Sequence, residues 1–252
     1  MDRFSSQIEA LKKIIARYAL ALLGVFVALL FLTPEMFGWS GPDTAASLAT
    51  NAFLLMKQML VPSGVPIVTL GPVALFVAPI LVAFLLALLF TFPLALFLLG
   101  RFLAPALRPA ERRTLLFFAL PALVLFYAGT AFAYFLIIPE TLSALYSFAD
   151  PAGVVPMFAL DQFLSSVFLL TILTGVVFLL PVMMVAFGRI GLIPPVFWMR
   201  HWRGAVLFVI LFSAIITPDG SGVTMVFLSG PILGLYVIGT ISAAVSVPKR
   251  VI

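Results

Sequence analysis

Residues 73–113 read VALFVAPILVAFLLALLFTFPLALFLLGRFLAPALRPAERR, and they establish the architecture of the whole chain. From 73 to 100 there is no Asp, Glu, Lys, Arg or His, and a helix of about 20 apolar residues already crosses the hydrocarbon core of a bilayer. From 101 to 113 there are four arginines and one acidic residue, Glu111. We therefore predict a membrane-spanning helix that ends in a basic loop.

The basic residues of the rest of the chain are grouped in the same way. Thirteen of the 14 Lys and Arg residues fall within residues 3–17, 101–113, 189–203 and 249–250, and only Lys57 lies elsewhere. The segments between these groups hold six of the nine acidic residues and the long apolar runs. This alternation of basic and non-basic connections is typical of a protein that crosses a membrane repeatedly, with its basic side in the cytoplasm.

The composition excludes other classes of protein. A chain of 252 residues that is 64% hydrophobic and 9% charged is not a water-soluble globule, since soluble domains carry roughly 25% charged residues. The cations lie at the ends of apolar segments, where they face lipid headgroups, so the net charge of +5 does not indicate a nucleic-acid partner. Because there is no Cys, disulfides and thiolate metal sites are excluded.

We predict an all-α, polytopic membrane protein that forms a single domain over residues 1–252. Six candidate spans lie at about residues 18–33, 73–99, 115–138, 164–187, 204–217 and 225–247. An even number of crossings places both termini on the basic, cytoplasmic side. The fifth span is short, because residues 204–216 give roughly 20 Å of helix at about 1.5 Å per residue, less than the ~30 Å of hydrocarbon.

Two further helices are predicted outside the spans. In residues 1–17, apolar residues recur at helical spacing with lysines between them, which indicates an amphipathic helix on the cytoplasmic surface. The long outer connection at residues 34–72 contains a predicted helix near residues 45–60, bounded by turns rich in Gly and Pro.

The ionisable residues argue against most catalytic and transport chemistry. None falls in the middle of a predicted span, whereas ion-coupled transporters normally need one at that depth. A small-solute channel or carrier lined by backbone groups stays an alternative. The single histidine, His201, and Ser221 fall at opposite ends of the fifth span, too far apart to act as base and nucleophile. His201 lies among aromatic and cationic residues, a pattern typical of the membrane interface.

The acidic residues of the basic face are few enough to be candidates for ligand binding. They are Asp2, Glu9 and Glu111, beside thirteen cations. Arg binds carboxylates bidentately, so two separated glutamates suit a cationic ligand that presents a pair of guanidinium groups. A local alternative is that Glu9 pairs with lysines of its own helix and Glu111 with the arginines that follow it.

From residue 93 onward the chain carries a series of short motifs rich in aromatic residues and proline. In chain order they are PLALF at 93–97, FLAPAL at 102–107, ERR at 111–113, LFYAG at 125–129, AFAYF at 131–135, Pro139, FLLP at 178–181, TPD at 217–219 and Pro231. Together these segments resemble TatC, the multispanning core of the twin-arginine protein translocase. The six spans, cytoplasmic termini and short fifth helix known for that family agree with the topology predicted above.

The resemblance also implies a function and a site. TatC proteins recognise the Arg-Arg pair in the signal peptide of a folded cargo with two cytoplasmic glutamates. By resemblance these are Glu9 and Glu111, with Arg112, Phe102 and Pro93 in the same signal-peptide site. The resemblance further implies single-span TatA- and TatB-type partners, contact with membrane lipids, and an oligomeric complex in the cell membrane. It implies no cofactor and no enzymatic activity.

The chain also departs from the family pattern. It reads EALK at 9–12 where the family usually has Glu-Leu-Arg, and Leu179 stands where the fourth span often carries a buried Glu or Gln. It is therefore identified as a divergent member. Leu179, Pro181 and Asp219 are candidate positions for partner docking or gating. A membrane scaffold that binds the same partners without transport is a second alternative function.

Overall fold

The structure is a computed structural model that describes residues 2–37, 46–61, 67–69, 71–103, 109–147, 157–216 and 222–246. The elements are α1 (Asp2–Phe31), a 3-10 turn (Pro34–Phe37), α2 (Leu48–Leu60), β1 (Ile67–Val68), α3 (Pro72–Leu103), α4 (Pro109–Phe132), a π-helical segment (Ala133–Ile137), α5 (Ile138–Ser147), β2 (Phe158–Ala159), α6 (Leu160–Val177), α7 (Leu180–Ile190), α8 (Pro195–Arg200), α9 (Trp202–Ile216) and α10 (Val223–Ser246). The described chain is thus almost entirely helical, as its apolar runs predict.

The apolar helices have the number and lengths expected of the predicted spans. Within the described residues, the stretches long enough to cross a membrane are Leu11–Phe31, Val73–Phe102, Leu116–Ala144, Leu160–Ile190 and Met225–Ser246, and a shorter apolar helix is Trp202–Ile215. The predicted all-α membrane architecture with a short fifth helix is therefore confirmed. The 15 residues of α9 rise only about 22 Å, which falls short of the ~30 Å of hydrocarbon.

The first helix is longer than the first predicted span. No proline interrupts the sequence from Asp2 to Phe31, and α1 runs through it without a break. The segment predicted to lie on the membrane surface is therefore part of the same helix as the span. Its 30 residues give about 45 Å of helix, roughly 15 Å more than the hydrocarbon needs.

The helix predicted near residues 45–60 is α2, in the connection between the first two spans. The hydroxyl oxygen of Ser47 caps it by accepting a hydrogen bond from the backbone N–H of Thr50 at 3.2 Å. One side of α2 is covered by the protein, and the buried side chains are those of Ala49, Met56 and Leu60.

The chain divides into two compact units, the first of which consists of Met1–Leu107 and Met157–Phe168. In this unit α3 packs against α1 and α2, and β1 pairs with β2 in parallel. The ring of Phe84 meets Phe26 edge-on at 6.2 Å and stacks on Phe168 at 5.7 Å. Aromatic contacts thus connect α3 to its neighbours on two sides.

The second unit consists of Arg108–Pro156 and Leu169–Ile252. In it α10 packs along α7 and also contacts α5, α8 and α9. The closest approach is at Gly239, where an added Cβ would lie 2.6 Å from Sδ of Met184 and 2.9 Å from Cα of Pro181. Such distances are shorter than side chains tolerate, so glycine at this position allows α10 to lie against the backbone of α7.

The fourth span is broken between α6 and α7. Phe178 and Leu179 form a turn, and Pro181 follows in the first turn of α7, where its missing N–H costs no helical hydrogen bond. The side chain of Phe178 packs against α4 at Gly129, where an added Cβ would lie 2.6 Å from the ring carbon Cγ. The FLLP motif is therefore a helix break that inserts an aromatic side chain against a neighbouring helix.

Candidate functional site

Glu9 lies on α1, two residues before the apolar span that begins at Leu11. The side chains of Glu9, Lys12 and Lys13 are all exposed, which means that other atoms of the protein do not cover them. No ion pair joins Glu9 to Lys12, Lys13 or any other side chain that the structure describes. The pairing of Glu9 with lysines of its own helix, which the sequence allows, is therefore not formed.

Glu111 and Arg112 are the third and fourth residues of α4, which begins at Pro109. Proline is favoured at the first helical position, and an acidic residue in the first turn interacts favourably with the helix dipole. The side chains of both residues lie outside the described part of the structure. Glu9 belongs to the first unit and Glu111 to the second, so a joint carboxylate site stays a prediction.

The two predicted site residues on α3 lie on opposite sides of that helix. Pro93 is exposed, whereas Phe102 follows nine residues later, about 180° around the axis, and is half-buried. The exposed side continues from Pro93 through Phe97, which is 60% exposed, to Arg101, at intervals of four residues. Phe97 and Arg101 were not predicted as members of this face. Their spacing is visible in the sequence, but only packing tells which side of α3 is uncovered.

The positions predicted for partner docking or gating differ in their surroundings. Leu179 is half-buried in the turn between α6 and α7. Pro181 is buried, and its backbone meets α10 at Gly239. Any influence of Pro181 on a partner would therefore pass through the packing of α7 on α10. Asp219 lies outside the described residues, and the docking roles of all three stay predictions.

The helix α8 and the start of α9 carry the aromatic and basic residues predicted for a membrane interface. His201 is exposed, with Nδ1 2.9 Å from the carbonyl oxygen of Phe197 and its ring centroid 4.2 Å from that of Phe197. The guanidinium carbon of Arg203 lies 5.6 Å from the centroid of the Trp202 ring. Ser221 lies outside the described residues. Within the described ranges, no group of three or more His, Cys, Asp or Glu side chains is placed to hold a metal.

A short hydrogen bond ties α8 to α10, because the hydroxyl of Tyr236 donates to the carbonyl oxygen of Trp198 at 2.6 Å. We expect Tyr236→Phe to lower the free energy of unfolding by about 1 kcal/mol. The matched control is Tyr18→Phe. The Tyr18 hydroxyl receives only a 3.3 Å bond from Thr91, which also donates to the carbonyl oxygen of Ala87 at 2.7 Å. Unfolding of detergent-solubilised protein measures both variants, and equal losses would contradict the expectation.

Residues 6–231 match the family model described as TatC, Sec-independent protein translocase protein. The chain belongs to the TatC family. Among its relatives, the TatC protein of Cenarchaeum symbiosum (strain A) is 38% identical over 198 residues, which are 79% of this chain and 75% of the relative. The chloroplastic TATC protein of Pisum sativum is 32% identical over 176 residues, which are 70% of this chain and 50% of that longer relative.

The fold of the chain also matches a solved TatC structure. The crystal structure of the twin arginine translocase receptor TatC in DDM aligns with a TM-score of 0.79 and covers 94% of this chain and 99% of that chain. The two sequences are 23% identical, so this likeness concerns the fold. The family model and the relatives confirm the family resemblance inferred from the motifs between residues 93 and 231, and the short fifth helix belongs to a TatC fold.

Proposed function

We propose that this chain is the core subunit of a twin-arginine translocase, which binds Arg-Arg signal peptides and helps to move folded proteins across a membrane. The observation that carries the proposal is the TatC family match over residues 6–231. In this proposal the chain acts in an oligomeric complex with single-span TatA- and TatB-type subunits. It needs no cofactor and catalyses no covalent step of its own.

The proposed contacts for the arginine pair of the signal peptide are the carboxylates of Glu9 and Glu111. The basic face carries many more cations than acids, so its general field repels a cationic ligand. Specific recognition therefore needs carboxylates that contact the guanidinium groups directly. Glu9 supports the proposal because it is exposed and forms no ion pair with any side chain that the structure describes. Arg112, next to Glu111, stays a proposed part of the same site.

We further propose that the exposed face of α3 receives the apolar segment of the signal peptide. Pro93 begins this face, Phe97 provides an aromatic surface that is 60% exposed, and Arg101 stands at its basic end. Within the membrane an apolar peptide would be held on such a face by van der Waals packing, because lipid tails are as apolar as the peptide. Phe102, half-buried on the other side of α3, would then hold the helix in place and not touch the peptide.

The proposed topology places the chain in the cell membrane as one multi-pass domain with both termini in the cytoplasm. The grouping of the cations supports this orientation, and α1 has about 15 Å of helix to spare beyond the hydrocarbon. The short α9 would thin the bilayer locally, because a span shorter than the hydrocarbon draws the two surfaces together. Leu179, Pro181 and Asp219 remain proposed positions for partner docking or gating.

Complementation tests the proposed function most directly. A strain that lacks its own TatC receives this chain together with the single-span subunits from the same source, and the export of a folded reporter is measured. We expect export when the reporter carries an Arg-Arg signal peptide and none when both arginines are replaced by lysine. Absence of export, together with normal membrane insertion and copurification of the single-span subunits, would favour the alternative of a non-transporting scaffold.

The alternative of a small-solute channel or carrier makes a different prediction. Such a protein would conduct its solute through liposomes that contain this chain alone. A translocase core requires its partner subunits and a cargo, so we expect these liposomes to retain a trapped fluorescent dye and small ions. Sustained, saturable flux through the isolated chain would overturn the proposed function.

A further inference from the structure

A cleft in the second unit is lined by described residues other than those predicted for signal-peptide binding, partner docking or gating. It lies between the third span and α10 and has a volume of about 200 Å³. Its walls come from the π-helical segment and the first turns of α10. Among the residues that line it are Leu136, Ile137, Glu140, Val226, Phe227 and Pro231.

One wall of the cleft departs from regular α-helix geometry, and the other contains a proline. The π-helical segment Ala133–Ile137 widens one turn of the third span, and such segments occur frequently at functional sites. Opposite it, Pro231 lies inside α10 and lines the cleft. The cleft is therefore lined by residues of two spans that are far apart in the chain.

The cleft is apolar along its length and acidic at one end. The protein leaves Leu136 53%, Val226 64% and Phe227 46% exposed, so the walls are accessible from the side that faces lipid. Glu140 is exposed, and no residue in the described ranges forms an ion pair with it. Leu116 begins this span, and Glu140 follows it by 24 residues, or about 36 Å of helix. This distance exceeds the ~30 Å of hydrocarbon, so a span that enters the membrane at Leu116 brings Glu140 to the level of the lipid headgroups.

We propose that this cleft binds one phospholipid whose headgroup carries a primary ammonium group, with part of an acyl chain between the π-helical segment and α10 and the ammonium on the carboxylate of Glu140. The volume of about 200 Å³ and the apolar walls suit part of a linear acyl chain. The charge favours an ammonium headgroup, because a carboxylate repels anionic lipids. This inference does not depend on the proposed binding of signal peptides.

Native mass spectrometry of the full chain in detergent tests the proposal. The protein is titrated with phosphatidylethanolamine and, separately, with phosphatidylglycerol of the same acyl composition. We expect a single tightly retained phosphatidylethanolamine, and at least about tenfold weaker retention of phosphatidylglycerol. Glu140→Gln should weaken the binding of phosphatidylethanolamine by about tenfold, which is the loss expected for a hydrogen bond to a charged group. The matched control, Asp161→Asn, removes an exposed carboxylate from the first turn of α6 and should change nothing.

A second pair of variants tests the apolar part of the cleft. Leu136→Trp should fill the cleft and reduce the retention of phosphatidylethanolamine, whereas Val124→Trp, on an exposed position of the same span, should not. Equal retention of the two lipids, or unchanged retention in both Glu140→Gln and Leu136→Trp, would overturn the proposal. Because the chain has no native Cys, a cysteine placed at Val226 is unique. Its cross-linking to a single-span subunit in membranes would identify a protein occupant and would also overturn the proposal.

Discussion

Replacing Glu111 by lysine is expected to abolish the capture of an Arg-Arg precursor by membranes that contain this chain. The change removes a carboxylate whose hydrogen bonds to a charged group contribute about 1.5–3 kcal/mol, and it places a like charge against the incoming guanidinium. Since each 1.4 kcal/mol corresponds to a factor of about ten, we expect affinity to fall by about 100-fold or more. Photo-cross-linking of the precursor's signal peptide to membrane vesicles measures the loss.

Controls must separate binding from helix stability, because Glu111 also stands in the first turn of α4. An acidic residue there stabilises a helix by about 0.3–1 kcal/mol, which is too little to explain a 100-fold loss. Asp161→Lys is the matched control, because it reverses the charge of another acidic residue in a first helical turn, that of α6. Capture should survive Asp161→Lys, and membrane insertion should survive both changes. If the Glu111→Lys variant captures the precursor as well as the unchanged protein does, Glu111 is not part of the binding site.

Replacing Gly239 by alanine is expected to have the second large effect, a loss of about 1–3 kcal/mol in the free energy of unfolding. The new Cβ would lie 2.6 Å from Sδ of Met184 and 2.9 Å from Cα of Pro181. The thioether end of Met184 can move aside, but Cα of Pro181 is backbone, so α10 and α7 have to separate. The fraction of detergent-solubilised protein that stays monodisperse after heating measures the loss.

The same helix supplies the control for this substitution. Gly234 is exposed, and an added Cβ there would meet nothing within 4 Å. Gly234→Ala should therefore be neutral or stabilise the protein by up to about 1 kcal/mol, because it reduces the freedom of the unfolded chain. Repeating Gly239→Ala in a Met184→Ala background tells which contact matters. If Gly239→Ala costs no stability relative to Met184→Ala alone, the thioether of Met184, and not the backbone of Pro181, is the obstacle.

The helical architecture was predictable because it depends on local composition. The apolar run at residues 73–100 is long enough to span a bilayer whatever packs against it, and α3 follows it closely despite two internal prolines. The shortness of the fifth span was predictable for the same reason, since charged residues and a Pro-Asp turn bound it on both sides. Continuity of α1 was not predicted, because basic amphipathic turns and an apolar span were taken for two separate helices.

The candidate site was only partly predictable. The scarcity of acidic residues on the basic face singles out Glu9 and Glu111, and a charge census needs no coordinates. Pro93 and Phe102 were assigned to one site by resemblance to the family, and the structure places them on opposite sides of α3. The side of α3 that stays uncovered depends on where α1 and α2 pack, and that information is spread over distant parts of the chain.

The amino-acid sequence by itself determined the spans, the basic and non-basic connections and the family, because bilayer thickness and charge act on each segment separately. Tertiary structure alone decided that Phe97 and Arg101 share the exposed face of α3, that Gly239 admits the backbone of Pro181, and that a cleft opens beside Glu140. Each of these features requires atoms from segments that are far apart in the chain to meet within a few ångströms. Hydrophobic patterning sets which segments enter the membrane, but it does not encode those distances.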